Sequence, residues 1–183
     1  MAKSNGGHTG SYTERPQISM KMIGDLPNEL RELVLAAVDA RSRAYAPYSK
    51  FHVGAAVRSV KGVVFTGCNI ENAAYSATLC AEQVAISTAL AAGERSLVHL
   101  AIVGDLLDPL PPCGNCRQFI NELAPELVLI MANMTGRVRL ASIGELLPLP
   151  FRLRSEGPVQ KSYGKKCKNA LKSVGASPPA KPR

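Results

Sequence analysis

Residues 51–68, FHVGAAVRSVKGVVFTGC, hold two short apolar runs on either side of Lys61-Gly62. Phe51 to Val60 and Val63 to Cys68 have the length and β-branched content of strands, and Lys61-Gly62 gives a tight reversal, so the stretch reads as a hairpin. Upstream, Leu26 to Ala46 places Leu30, Leu33, Val34, Ala37 and Val38 at spacings of three and four, the mark of an amphipathic helix, with Asp25 as its cap. Downstream, Cys80 to Ala92 is a helix of small residues stopped by Gly93. His99 to Gly104 is a buried-type strand, and a Pro-rich loop runs from it to Pro112. Cys113 to Leu123 is a helix ending before Pro125. Leu127 to Asn133 and Arg137 to Ala141 read as strands, and Ile143 to Leu147 as a short helix. A hairpin followed by strand–helix alternation predicts an α/β layered domain around a mixed sheet of about five strands.

A chain of 183 residues with 46% hydrophobic residues is one ordinary domain, large enough to close a core without disulfides. Residues 1–24 lack periodicity and read as a disordered leader, residues 25–155 as the folded domain, and residues 156–183 as a disordered basic tail. The net charge of +8 sits in the C-terminal part: from Arg152 onward there are nine basic residues and one acidic, and the rest of the chain is balanced. A charge confined to a tail does not describe what the folded body recognises, and with 5% aromatic residues a stacking surface for nucleic acid is not expected. Apolar runs such as Leu33 to Val38 are too short to span a bilayer. The N-terminus has no signal-peptide core, so the expected location is the cytoplasm. Five cysteines, an odd number, fit reduced thiols or metal ligands better than a disulfide framework.

Three of those cysteines lie in Cys80-Ala81-Glu82 and Pro112-Cys113-Gly114-Asn115-Cys116, each opening a predicted helix. The free N–H groups of a helix start favour a thiolate. Cys113 and Cys116, three apart, share one face, and with Cys80 they make three soft ligands, the number a catalytic zinc site uses when it keeps a fourth position open. Glu82 reaches the same site only if Cys80 and Glu82 straddle the helix start; it then has a proton-shuttle position beside an activated water. Taken singly, Cys-x-x-Cys is also a structural zinc half-site or a redox pair. The combination with Cys-x-Glu fits the three-cysteine form of the zinc nucleobase deaminase signature, with structural zinc and redox use as the alternatives. Cys68 and Cys167 fall outside ligand spacing, and His8, His52 and His99 are not needed as ligands.

Four motifs carry a resemblance to a known family: Tyr45-Ala46-Pro47-Tyr48-Ser49-Lys50-Phe51, Thr66-Gly67-Cys68-Asn69-Ile70-Glu71-Asn72-Ala73, Cys80-Ala81-Glu82, and Pro112-Cys113-Gly114-Asn115-Cys116-Arg117-Gln118. In this order, and with Glu145-Leu146-Leu147-Pro148 closing the match, the chain over Leu26 to Phe151 resembles the small homotetrameric, zinc-dependent cytidine deaminases of pyrimidine salvage. The resemblance implies a three-layer α/β/α fold, zinc on Cys80, Cys113 and Cys116, and Glu82 as proton shuttle. It implies Asn69 and Glu71 on the ribose 3′-hydroxyl, Phe51 packed on the pyrimidine, and the Ala81 N–H facing the base carbonyl. Tyr75 and Phe151 match positions that such enzymes extend into a neighbouring subunit's pocket, which makes a homotetramer the expected assembly.

One position departs from the family pattern. Three-thiolate members commonly follow Cys-Ala-Glu with Arg, and here Gln83 stands there. Three thiolates leave a zinc site with a net negative charge, which weakens activation of water. Gln83 can hydrogen-bond a sulfur but brings no charge, and Arg117 is the cation expected to compensate. The expected reaction is conversion of cytidine and 2′-deoxycytidine to their uridine products with loss of ammonia, at a reduced rate. The alternatives are an aminohydrolase for a cytosine-containing antibiotic such as blasticidin S, a polynucleotide-editing deaminase, and a non-catalytic zinc-stabilised binding module.

Overall fold

A computed structural model describes residues 19–152. The expected leader up to residue 18 and the basic tail with Cys167 lie outside the described residues. Strands β1 (Met20–Met22), β2 (Val53–Ser59), β3 (Val64–Cys68), β4 (Leu97–Gly104), β5 (Val128–Asn133) and β6 (Arg137–Ser142) form one sheet. Its order is β1-β6-β5-β4-β2-β3; only β4 and β5 pair in parallel. Helices α1 (Asn28–Arg41), α2 (Ala81–Ala91), α3 (Gly114–Leu123) and α4 (Ile143–Leu146), with two 3-10 turns at Ile23–Asp25 and Tyr75–Ala77, complete the described part. The sheet thus has six strands where five were expected. The extra one, β1, falls inside the segment read as a leader, and places Met20 opposite Arg139 and Met22 opposite Arg137.

The pleat divides the core in two. Ala56, Ala101, Val103, Ile130, Ala132 and Val138 face one side, where Leu30, Leu33, Val34 and Ala37 of α1 cover them. Ala55, Val57, Leu100, Ile102 and Leu129 face the other side, under Ala81, Ala85, Ile86 and Ala89 of α2, Ile120 of α3 and Ile143 of α4. Each fully buried Leu or Ile contributes about 1.5–3 kcal/mol, so both helix layers are held by burial. Two glycines set how close the helices lie. A Cβ on Gly54 would meet the backbone of Ala37 and Arg41, and one on Gly67 would meet Ala81 and Ala85 of α2. Absence of a side chain at Gly67 lets α2 rest on β3, and α2 carries Glu82 and has Cys80 at its N-cap.

Local boundaries differ from expectation for physical reasons. Asp25 does not cap α1; its carboxylate accepts the Met22 N–H at 3.0 Å and closes a 3-10 turn, and Pro27 occupies the N-cap position of α1. The helix stops at Arg41 rather than near Ala46, because Tyr45 leaves to pair with Ile70. In the hairpin, Ser59 N–H bonds Val63 O and Gly62 N–H bonds Ser59 O, both at 2.9 Å, so the loop is Val60-Lys61-Gly62 with Gly62 left-handed at φ 86°.

Candidate active site

Helices α2 and α3 start beside each other, and their first residues bring the cysteines together. Ile70 and Leu79 exchange two backbone hydrogen bonds of 2.9 Å, so Cys80 follows directly from a segment pinned to the Asn69–Glu71 strand extension. Cys80 is the N-cap residue of α2, and Cys113 that of α3. The Cys113 sulfur accepts the Cys116 N–H at 3.4 Å. The three sulfurs lie within 4.8 Å of one another, with Cys80 and Cys113 3.9 Å apart. A tetrahedral ion with metal–sulfur bonds of about 2.3 Å has sulfur–sulfur edges of about 3.8 Å, so the triad fits zinc.

Electrostatics agree with that fit. A hydrogen bond from Cys116, working against burial, lowers the Cys80 thiol to about 7. The same contact, followed by burial and the neighbouring charges, pushes the Cys116 thiol up. Three thiolates at this spacing therefore need a cation between them. Glu82, 4% exposed, sits in the first turn of α2 as the only buried carboxylate among the described residues. Burial raises its carboxyl above the usual range, which suits a group that must both take and return a proton. Cys80 and Glu82 straddle the helix start: Cys80 has extended backbone at ψ 153°, outside the helix, and Ala81 is the first helical residue. The Ala81 N–H belongs to the first turn, whose donors have no acceptor within the helix, and is free to meet a ligand oxygen.

The remaining expected residues make contacts that spacing could not reveal. Asn69 grips the approach to β2: its Oδ1 accepts the Val53 N–H and its Nδ2 donates to Phe51 O, both at 2.8 Å. Glu71 accepts the Tyr48 N–H at 2.9 Å, the Ser49 N–H at 3.3 Å and the Ser49 hydroxyl. These bonds, the Ser49 hydroxyl first, hold its carboxyl below the usual range. Between them Lys50 is held left-handed at φ 59°, an unusual state for a side chain of that kind, and Phe51 follows it into the core edge. Asn69 and Glu71 thus shape the loop that carries Phe51. Each keeps spare capacity, one Nδ2 hydrogen on Asn69 and about one lone-pair site on Glu71, for a further partner. Glu71 also lines an open cavity of about 460 Å³ with Tyr48, Ser49, Asn72, Tyr75 and Thr78. Tyr75 is 84% exposed and Phe151 68% exposed, so neither ring is buried within its own chain.

Residues 27–132 match the family model described as the cytidine and deoxycytidylate deaminase zinc-binding region. The chain belongs to this family. It is 44% identical over 120 residues to the cytidine deaminase of Halalkalibacterium halodurans, covering 65% of this chain and 91% of that one. It is 42% identical over 117 residues to the cytidine deaminase of Mycobacterium tuberculosis, covering 64% and 85%. Among solved structures, the cytidine deaminase of Burkholderia pseudomallei superposes with a TM-score of 0.64 at 50% identity, over 66% of this chain and 97% of that one.

Two neighbours of the zinc cysteines do other work than expected. Gln83 accepts the Cys80 N–H on its Oε1 at 3.1 Å and so caps α2, and no hydrogen bond from its Nε2 to a sulfur occurs among the described residues. Arg117 donates from Nε to Pro112 O at 2.9 Å and from Nη1 to Leu146 O at 3.1 Å, and no hydrogen bond from it to a sulfur occurs among the described residues. It braces the loop before Cys113 instead. Sequence reasoning missed the side chain of Gln118, which bonds the backbone of Phe151. Its place directly after Arg117 in the motif was the available signal.

Proposed function

We propose that the protein hydrolyses cytidine and 2′-deoxycytidine to uridine and 2′-deoxyuridine, releasing ammonia, in pyrimidine salvage. The observation that carries this reading is the zinc-spaced thiol triad with one buried carboxylate, Glu82, two residues along the chain from Cys80. Cys80, Cys113 and Cys116 hold zinc, which when bound supplies Lewis-acid activation of water. Glu82 takes a proton from the attacking water and delivers it to the ring nitrogen beside the amine-bearing carbon. It then takes the remaining proton of the hydroxyl added to that carbon and gives it to the amine; the carbon–oxygen double bond forms as the carbon–nitrogen bond breaks, and the amine departs as ammonia. The Ala81 N–H orients the base carbonyl, Phe51 packs on the ring, and Asn69 and Glu71 bond the ribose 3′-hydroxyl. Leaving those two groups without a sugar partner reduces affinity, which gives nucleosides an advantage over free base.

The catalytic unit is residues 25–155 together with β1 (Met20–Met22), which belongs to the same sheet. No helix among the described residues is long and apolar enough to cross a membrane. The four described cysteines are free, in keeping with a reducing cytoplasm. Exposed Tyr45, Tyr48, Ile70, Leu79, Tyr75 and Phe151 support a homotetramer in which Tyr75 and Phe151 complete a neighbour's pocket. In the decisive variant, Glu82→Gln, zinc content and fold persist while turnover falls by at least about a hundredfold. Comparable turnover in that variant removes Glu82 from its role.

A further inference from the structure

After α4 the chain runs from Leu147 to Arg152 without a fully buried side chain; Leu149 is 93% exposed and the Phe151 ring 68% exposed. Apolar packing within one chain therefore does not fix where Phe151 points. One side chain does. Gln118 donates from Nε2 to Phe151 O at 2.8 Å, and its Oε1 accepts the Phe151 N–H at 3.1 Å. A single amide thus satisfies both backbone groups of one residue, as a neighbouring strand would. Arg117, the preceding residue on α3, ties Leu146 O at the other end of the same segment. The segment is held at both ends by adjacent side chains of the helix that also carries Cys116 and is capped by Cys113.

We propose that Gln118 is a positioning residue that fixes the Phe151 ring for insertion into the pocket of a second copy of the chain. The inference rests on the reading of Phe151 given above. An exposed aromatic ring on a loose segment loses affinity to the ordering of its backbone on binding; a segment already clamped does not. Gln118 supplies that ordering in advance, and because it sits on the first turns of α3, the ring keeps a fixed offset from the metal ligands of its own subunit. The residue touches no substrate and acts only through Phe151.

The test is a double-mutant cycle on the full-length, zinc-loaded protein, with Gln118→Met, Phe151→Ala and the pair assayed on cytidine. Two hydrogen bonds at a partly solvated site correspond to a rise of about tenfold in KM for Gln118→Met, with kcat within about twofold and zinc still about one per chain. The pair should show the KM of Phe151→Ala alone. Gln118→Glu, which keeps the acceptor and loses the donor, should fall between wild type and Gln118→Met. A wild-type KM in both Gln118 variants beside a raised KM in Phe151→Ala overturns the proposal and leaves the reading of Phe151 standing. Effects that multiply in the pair also overturn it, since Gln118 would then act elsewhere. An unchanged KM in Phe151→Ala removes the reading and the proposal together.

Discussion

Replacing Asn69 with Ala removes the two 2.8 Å hydrogen bonds that hold Val53 N–H and Phe51 O at the entry to β2. Val53 is 8% exposed, so its N–H gains little access to water when the partner goes. At about 1 kcal/mol per lost bond, the substrate-free, zinc-loaded protein should lose about 2 kcal/mol. For a domain of this size that lowers the melting temperature by about 6 °C. Asn69→Asp keeps an acceptor for Val53 N–H and loses the donor to Phe51 O, so it should lose about half as much or slightly more. Thermal unfolding at one fixed protein concentration reads both, because association also shifts the midpoint. A residue that served only the sugar would leave the substrate-free protein unchanged. A midpoint for Asn69→Ala within about 1 °C of wild type refutes the structural half of its role.

Gln83→Arg exchanges the bond to Cys80 N–H for a cation beside the thiolates. Turnover should rise while the melting temperature falls by a few degrees, about 1 kcal/mol of lost capping; turnover unchanged or lower contradicts the charge argument. Removing zinc with a chelator should lower the unfolding midpoint and broaden the transition, restored on adding one equivalent, since the three sulfurs are held too close for the metal-free state; a midpoint indifferent to zinc contradicts a site built at this spacing. His99 gives a pH dependence. Burial, reinforced by Arg58 and opposed by Glu29, lowers its ring to about 4, and neither ring nitrogen has a hydrogen-bond partner among the described residues. The folded state keeps it neutral while the unfolded chain takes up a proton, so its contribution is present above about pH 6.5 and is lost as pH falls toward 4. Between about pH 7.5 and about pH 5.5 the loss is about 1 kcal/mol, and urea titration of His99→Gln should show that much less acid sensitivity than wild type.

The parts legible in the sequence are those whose chemistry is local. Ala55, Val57, Leu100 and Ile102 face one layer while Ala56, Ala101 and Val103 face the other, so β2 and β4 read as buried strands from composition alone. The thiol triad was legible because the ligand residues open their helices and spacing puts two of them on one face. The first strand was not: Met20–Met22 has three residues and no periodicity, and it becomes a strand only because β6 offers an open edge. Asp25 was misread because an acid before a helix looks like a cap whether it serves that helix or the turn in front of it. The partners of Asn69, Glu71 and Gln118 were also hidden. Their bonds go to backbone atoms of segments distant in the chain, and any residue type supplies a backbone N–H or C=O.

The most direct test is to incubate the purified, zinc-quantified protein with cytidine and with 2′-deoxycytidine, following the ultraviolet change as the amine is lost and the ammonia released. Equal amounts of ammonia and uridine product, with turnover abolished in Glu82→Gln, are what this account predicts. Protein holding about one zinc per chain that turns over neither nucleoside would contradict it.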